Sequence, residues 1–164
     1  MKSRGLLFLS LLSFLHLTCA FGQSRSHSAG IGFFGTRQSL VNFLNYELQF
    51  KQYRGELAFG YELGRAVQYQ HFAPSIGLGL AYEIISQDKV HIDLKSNFLC
   101  QRNQYPSNNS IVSRSFYLGY ELRLGQRIQF SQRILLGVLH NQALSGYNKL
   151  VHDFMISGGI HYHF

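Results

Sequence analysis

Ser157-Gly-Gly-Ile-His-Tyr-His-Phe164 is the stretch that decides the fold. Ile160, Tyr162 and Phe164 share one parity; Gly159, His161 and His163 share the other. Side chains of a strand alternate between faces, so this segment has one apolar face and one polar face.

The same alternation recurs upstream in seven further segments. They are Ser28 to Gly35, Val41 to Phe50, Gly55 to Gly64, Pro74 to Ile85, Val90 to Arg102, Ser115 to Leu124 and Arg127 to His140. The last segment begins near Asp153 and runs to Phe164. Leu57, Phe59, Tyr61 and Leu63 mark the apolar parity of the third; Phe116, Leu118, Tyr120, Leu122 and Leu124 mark that of the sixth.

The connections differ in length. Lys51-Gln-Tyr-Arg54, Ser86-Gln-Asp-Lys89 and Gly125-Gln126 read as tight turns. Arg65 to Ala73, Asn103 to Arg114 and Asn141 to His152 read as longer loops, and Thr36 to Leu40 as a short one. Short turns at one end and longer loops at the other are the habit of membrane β-barrels.

Composition agrees. Only 14% of residues are charged and 15% are aromatic, with 10 Tyr, 14 Phe, 16 Gly and no Trp. Ordinary soluble domains carry about 25% charge. Mean hydropathy is −0.04, and past the first twenty residues no apolar run is long enough for a spanning helix, which needs about 20 residues. The start reads as a secretory leader: Met1-Lys-Ser-Arg4 is basic, Gly5 to Leu17 is mostly apolar, and Ala20-Phe21-Gly22 offers small residues to a peptidase. Cleavage there removes Cys19 and leaves Cys100 alone, so no intramolecular disulfide forms. The domain division is residues 1–22 as leader and 23–164 as barrel.

Ser157, Gly159, Tyr162 and Phe164 resemble the closing strand of bacterial outer-membrane β-barrels. In size and pattern the chain resembles the small barrels of the OmpA and OmpX type. The resemblance implies an all-β fold: an eight-stranded antiparallel up-and-down transmembrane β-barrel, located in the outer membrane after leader removal. It implies that Gly159, Tyr162 and Phe164 form the address read by the barrel-assembly machinery. It names no ligand.

In such a barrel the polar parity faces inward. It holds Glu56, Ala58, Gly60 and Glu62 in the third segment, and Gly77, Gly79, Ala81 and Glu83 in the fourth. Small residues suit a narrow lumen, which eight strands leave just wide enough for side chains. An unpaired buried ion costs several kcal/mol. Glu62, Glu83, Asp93 and Glu121 against Lys95, Arg123 and Arg133 therefore read as a closed interior ionic network. A lipocalin-like periplasmic barrel has the reverse polarity, and alternation alone does not say which parity faces in.

Three further constellations bear on function. His161 and His163, with His91, have spacing that lets imidazoles share a metal, but polar neighbours on an inward face are the default of this fold, and neither a metal nor another cofactor is expected. His140-Asn141-Gln142 falls where lipid A 3-O-deacylases carry His-x-Ser. A glutamine amide cannot attack an ester, Ser145 is out of step, and Asp153 is the acid that follows. A lipid A acyl hydrolase is thus the enzymatic alternative to a non-enzymatic structural or surface role. Removing Lys2 and Arg4 lowers the formal charge from +7 to +5. Arg37, Arg65, Arg102, Arg114 and Lys149 fall at outer strand ends or loops, the level of lipopolysaccharide phosphates, which Arg binds well. Outer-membrane lipid and lipopolysaccharide are the expected partners, nucleic acid is not, and the barrel is expected to be monomeric.

Overall fold

A computed structural model of the chain describes residues 25–36, 39–62, 73–104, 110–143 and 148–164. The expected leader, Arg37, Arg65 and Ser145 lie outside the described residues. Eight strands follow one another: β1 (Arg25–Thr36), β2 (Leu40–Phe50), β3 (Tyr53–Glu62), β4 (Pro74–Gln87), β5 (Val90–Gln104), β6 (Ser110–Gly125), β7 (Ile128–Ala143) and β8 (Asn148–His163). Each pairs antiparallel with its sequence neighbours, and β8 pairs with β1 to close the barrel. Closure removes both sheet edges, so every ladder hydrogen bond is made within the wall.

The ladder climbs around the wall. Register partners from Ser26 run through Gln49, Arg54, Ala81, Lys95, Gly119, Leu135 and Met155 and return to β1 at Thr36, ten residues further along. An offset of that kind accompanies strands tilted roughly 35–45° from the barrel axis. One bulge, between Glu83 and Ile85, puts an extra residue on β4 opposite β5 and re-aims Ser86 at His91. At the β6–β7 turn Gly125 has φ 121°, a conformation that a side chain would strain.

The strand ends differ from the sequence reading. β5 through β8 have 15 or 16 residues, while β2 and β3 have 11 and 10. Crossing a bilayer takes about 9–11 tilted residues. The surplus of β5–β8 falls in the Asn103–Arg114 and Asn141–His152 stretches expected as loops. Beyond the hydrocarbon an outward residue no longer has to be apolar, so the alternation fades while the backbone ladder continues. Arg54, expected in a tight turn, belongs to β3 and points inward.

The polarity is that of a barrel standing in lipid. Ile31, Leu44, Leu57, Leu78, Leu80, Leu118, Ile134, Leu136 and Ile156 are exposed on the outer wall. Leu80 is 70% exposed, whereas Gly79 beside it faces the lumen, where an added Cβ would meet Asn97 Oδ1 at 2.6 Å. Near the turn end, Tyr53 packs on Tyr82 with centroids 5.2 Å apart, and Phe164 stacks on His27 and Tyr162. Aromatic girdles at the interface are a mark of membrane barrels. A soluble lipocalin-like barrel would require the opposite arrangement.

Candidate functional site

Of the eight carboxylate side chains in the sequence, all but Asp88 lie on the inward parity. Glu47, Glu56, Asp93 and Glu121 are buried there together with Arg54, Lys95, Arg123 and Arg133. The register places like charges side by side: Glu47 opposite Glu56, Glu83 opposite Asp93, and Asp93 opposite Glu121. Like charges directly across a ladder repel. Each such pair is bridged by a cation.

Arg54 donates to Glu47 at 2.9 Å, to Asp93 at 2.7 Å and to Glu121. Arg123 holds Asp93 through Nε at 2.8 Å and Nη2 at 3.2 Å, and reaches Glu83 at 3.3 Å. Arg133 donates to Glu121 at 2.6 Å, to Glu56 at 3.0 Å and to Glu47 at 3.4 Å. Lys95 bonds Glu56, and Glu121 at 3.3 Å. Every deeply buried acid in this cluster therefore touches at least two cations, which is what offsets the desolvation of charge in a dry interior. Ser28 and Asn45 add hydrogen bonds to Glu47, at 3.0 and 3.4 Å.

The cluster fills the half of the lumen nearer the tight turns. Above it, Phe34, Val41, Phe43, Leu99, Tyr117, Leu135 and Met155 form an apolar layer. Arg133 joins the two layers, its guanidinium 5.7 Å from the Phe43 ring centre. Tyr117 donates to Asp153 at 2.9 Å toward the loop end. A cavity of about 20 Å³, bordered by Phe34, Phe43, Asn97, Met155 and Ser157, has room for roughly one water. The lumen is packed and stratified.

Six of the seven expected network residues, Glu83, Asp93, Lys95, Glu121, Arg123 and Arg133, join this cluster. Glu62 lies toward the loop end, where Gln101 is one of its partners and donates to it at 2.8 Å. Glu47, Arg54 and Glu56 complete the network beyond the residues the sequence reading assigns to it. The alternation itself puts Glu56 on the inward parity and Glu47 opposite Leu44, Tyr46 and Leu48, so it contains both.

The histidines join the lumen as hydrogen-bonding groups. His161 Nε2 lies 2.8 Å from Ser131 Oγ, and its Nδ1 lies 3.5 Å from Glu47. The order Ser–His–Glu is that of a hydrolytic relay. Here Glu47 is already bonded to two guanidinium groups, and Ser131 and His161 are buried in the packed lumen. Glu47, Glu121 and His161 also offer ligand atoms within 4.8 Å of one another, but both carboxylates are bonded to Arg54 and Arg133, which makes this an ion-pair node. His91 pairs with Glu83 at 2.7 Å. His140, on the outward parity, meets Asn148 at 2.5 Å, while Asp153 faces inward to Tyr117. The wall separates that histidine from the acid expected to orient it.

Arg102 and Arg114 are exposed on the outward parity, and Lys149 is exposed at the mouth on the inward parity, opposite Asn141. Tyr162 and Phe164 close the wall: Tyr162 pairs with Ala29, and Phe164 N donates to His27 O at 3.0 Å. Gly159 faces inward opposite Gly32.

This is an eight-stranded transmembrane β-barrel. No family model and no curated protein matches the sequence. Solved structures resemble it in fold. The N-terminal β-barrel domain of Pseudomonas aeruginosa OprF superposes with a TM-score of 0.55 at 12% identity, covering 84% of this chain and 97% of that one. Neisserial surface protein A gives 0.50 at 12% identity, with 84% and 94% coverage. A major outer membrane protein from Thermus thermophilus gives 0.50 at 11% identity, with 87% and 100% coverage. At these identities the likeness is one of architecture.

Proposed function

We propose that this chain is an outer-membrane β-barrel of a bacterial envelope with a structural or surface-interaction role and no catalytic one. The observation that carries the reading is the sorting of charge: every carboxylate but Asp88 lies inside the wall, and the middle of the outer wall is apolar. Inverted polarity of this kind has a use only where lipid surrounds the barrel. The neighbours in fold support the location, since their names describe outer-membrane or surface proteins.

In this reading the packed lumen holds the wall rigid and carries no solute. Outer-leaflet lipid and lipopolysaccharide are the partners, met by basic residues at the outer rim. The barrel-assembly machinery inserts the chain through Gly159, Tyr162 and Phe164. Membrane fractionation of the expressed protein tests the location, with heat-modifiable gel migration reporting the closed barrel. Recovery as a soluble periplasmic protein would sink the proposal. A lipid A mass spectrum unchanged by the protein is the expected outcome for a non-enzyme; loss of an acyl chain would establish the hydrolase instead.

A further inference from the structure

On each of β5, β6, β7 and β8 the outward face carries a basic or imidazole side chain near its loop end, with Val112 and Leu150 following it on β6 and β8. Along β6 the outward residues are Leu124, Leu122, Tyr120, Leu118 and Phe116, then Arg114. Along β5 the run passes Leu94, Phe98 and Cys100 to Arg102; along β7 it passes Ile134, Leu136 and Val138 to His140; along β8 it passes Ile160, Ile156 and Phe154 to His152.

These four residues stand at one height. The ladder climbs ten residues over eight strands, from Ser26 to Thr36, so register partners rise toward the loops by a little over one residue per strand. Arg102 pairs with Val112, two residues beyond Arg114; Arg114 pairs directly with His140; His140 pairs with Leu150, two residues beyond His152. The sequence steps back four residues between β5 and β8, which cancels the climb over those three steps. Arg114 lies four residues beyond Leu118, about 10 Å along the membrane normal at this tilt. Half of an apolar band of about 25 Å ends near that level.

No carboxylate occupies the outward face of these strands. Among the described residues, the outward faces of β2 and β4 end instead on Asn42 and Leu40 and on Ile76 and Pro74. Directly beneath the four residues, Phe98, Phe116 and Phe154 are exposed to the membrane.

Resting on the outer-membrane reading and deepening it, we propose that Arg102, Arg114, His140 and His152 form a docking belt across β5–β8 for the phosphate groups of an outer-leaflet glycolipid. The guanidinium groups of Arg102 and Arg114 bind phosphate oxygens through paired N–H donors. His140 and His152 add donors beside them. The three phenylalanines receive the acyl chains of the same molecule, which is why the occupant is a phosphorylated lipid and not free phosphate. The belt lies on the β5–β8 side of the described wall.

The test uses purified barrel in neutral detergent micelles, titrated with bisphosphorylated lipid A or with the same lipid stripped of both phosphates, counting bound lipid by native mass spectrometry. Wild type should bind the phosphorylated lipid about tenfold or more tightly than the stripped one, as two charge-assisted contacts allow. Arg102→Gln/Arg114→Gln should erase that preference, His140→Gln/His152→Gln should reduce it, and Lys51→Gln/Lys89→Gln, at the opposite end, should leave it intact. Heat-modifiable migration verifies each barrel. Equal binding of the two lipids by wild type would overturn the proposal without any variant. Equal loss in the Lys51/Lys89 control would overturn it too, as unspecific charge attraction. Membrane fractionation decides the location separately.

Discussion

Glu47 and Glu56 face each other across the β2–β3 ladder as two buried carboxylates, and Arg133 reaches both from the opposite side of the lumen. Two acids in register would repel in isolation. Arg133 on β7 bonds both and Glu121 as well, so one side chain ties its own strand to β2, β3 and β6.

Arg133→Met should therefore be among the most destabilising single changes. It leaves three buried carboxylates short of a cation, and breaking a buried pair costs about 3–5 kcal/mol. Urea unfolding in lipid vesicles measures it. Arg133→Met unfolding at the wild-type midpoint would mean that water already screens the lumen.

Reconstituted protein should pass no steady current in a planar bilayer. The ionic layer and the Phe43–Leu135–Met155 layer each fill the cross-section of an eight-stranded lumen. A large, stable monomer conductance would contradict the packed interior.

Gly119→Val should destabilise the wall. A Cβ at Gly119 would run into the Ile134 carbonyl oxygen and come within 2.8 Å of Leu135 Cα, both backbone atoms that cannot swing away. Overpacking of this kind costs about 1–3 kcal/mol. Gly55→Val is the matched control, since a Cβ there meets nothing within 4 Å. Equal unfolding midpoints for the two variants would refute the close contact.

Leu80→Arg or Leu118→Arg puts a charge into hydrocarbon and should cost about 2–4 kcal/mol near the midplane. Spin labels at the two positions should be relaxed by oxygen dissolved in the bilayer and shielded from a water-soluble relaxing agent. The reverse pattern would invert the barrel.

Phe164→Ala should lower the yield of inserted barrel. Phe164 extends the β1–β8 seam through its bond to His27 and stacks on Tyr162. Pulse-labelled cells followed by heat-modifiable migration measure the folded fraction. Unchanged yield would remove the assembly role from this residue.

Strand number, closure and polarity were legible in the sequence because lipid on one side and a packed lumen on the other enforce a strict period of two. Legibility ended where that constraint ended. Past Arg102, Arg114, His140 and His152 the strands continue in water, and their Asn- and Ser-rich ends read as loops. Arg54 was hidden because the stretch Lys51–Arg54 reads as the turn itself, although Tyr53 continues the outward parity of Leu57 and Phe59. Which acid meets which base depends on distance across the lumen. The link from Arg54 on β3 to Glu121 on β6 has no local signature.

The cross-lumen bonds also bear on how the barrel enters the membrane. Lys95 to Glu56, Arg54 to Glu121 and Arg133 to Glu47 all join strands that do not share a ladder. Arg54 to Glu121 and Arg133 to Glu47 join strands three apart around the wall and need its curvature to meet. A hairpin of β2 and β3 inserted alone would carry Glu47 and Arg54 into hydrocarbon as a pair, but Glu56 would enter with both its cations, Lys95 on β5 and Arg133 on β7, still outside. Insertion strand by strand is thereby disfavoured, and curling and charge matching have to advance together until β8 meets β1.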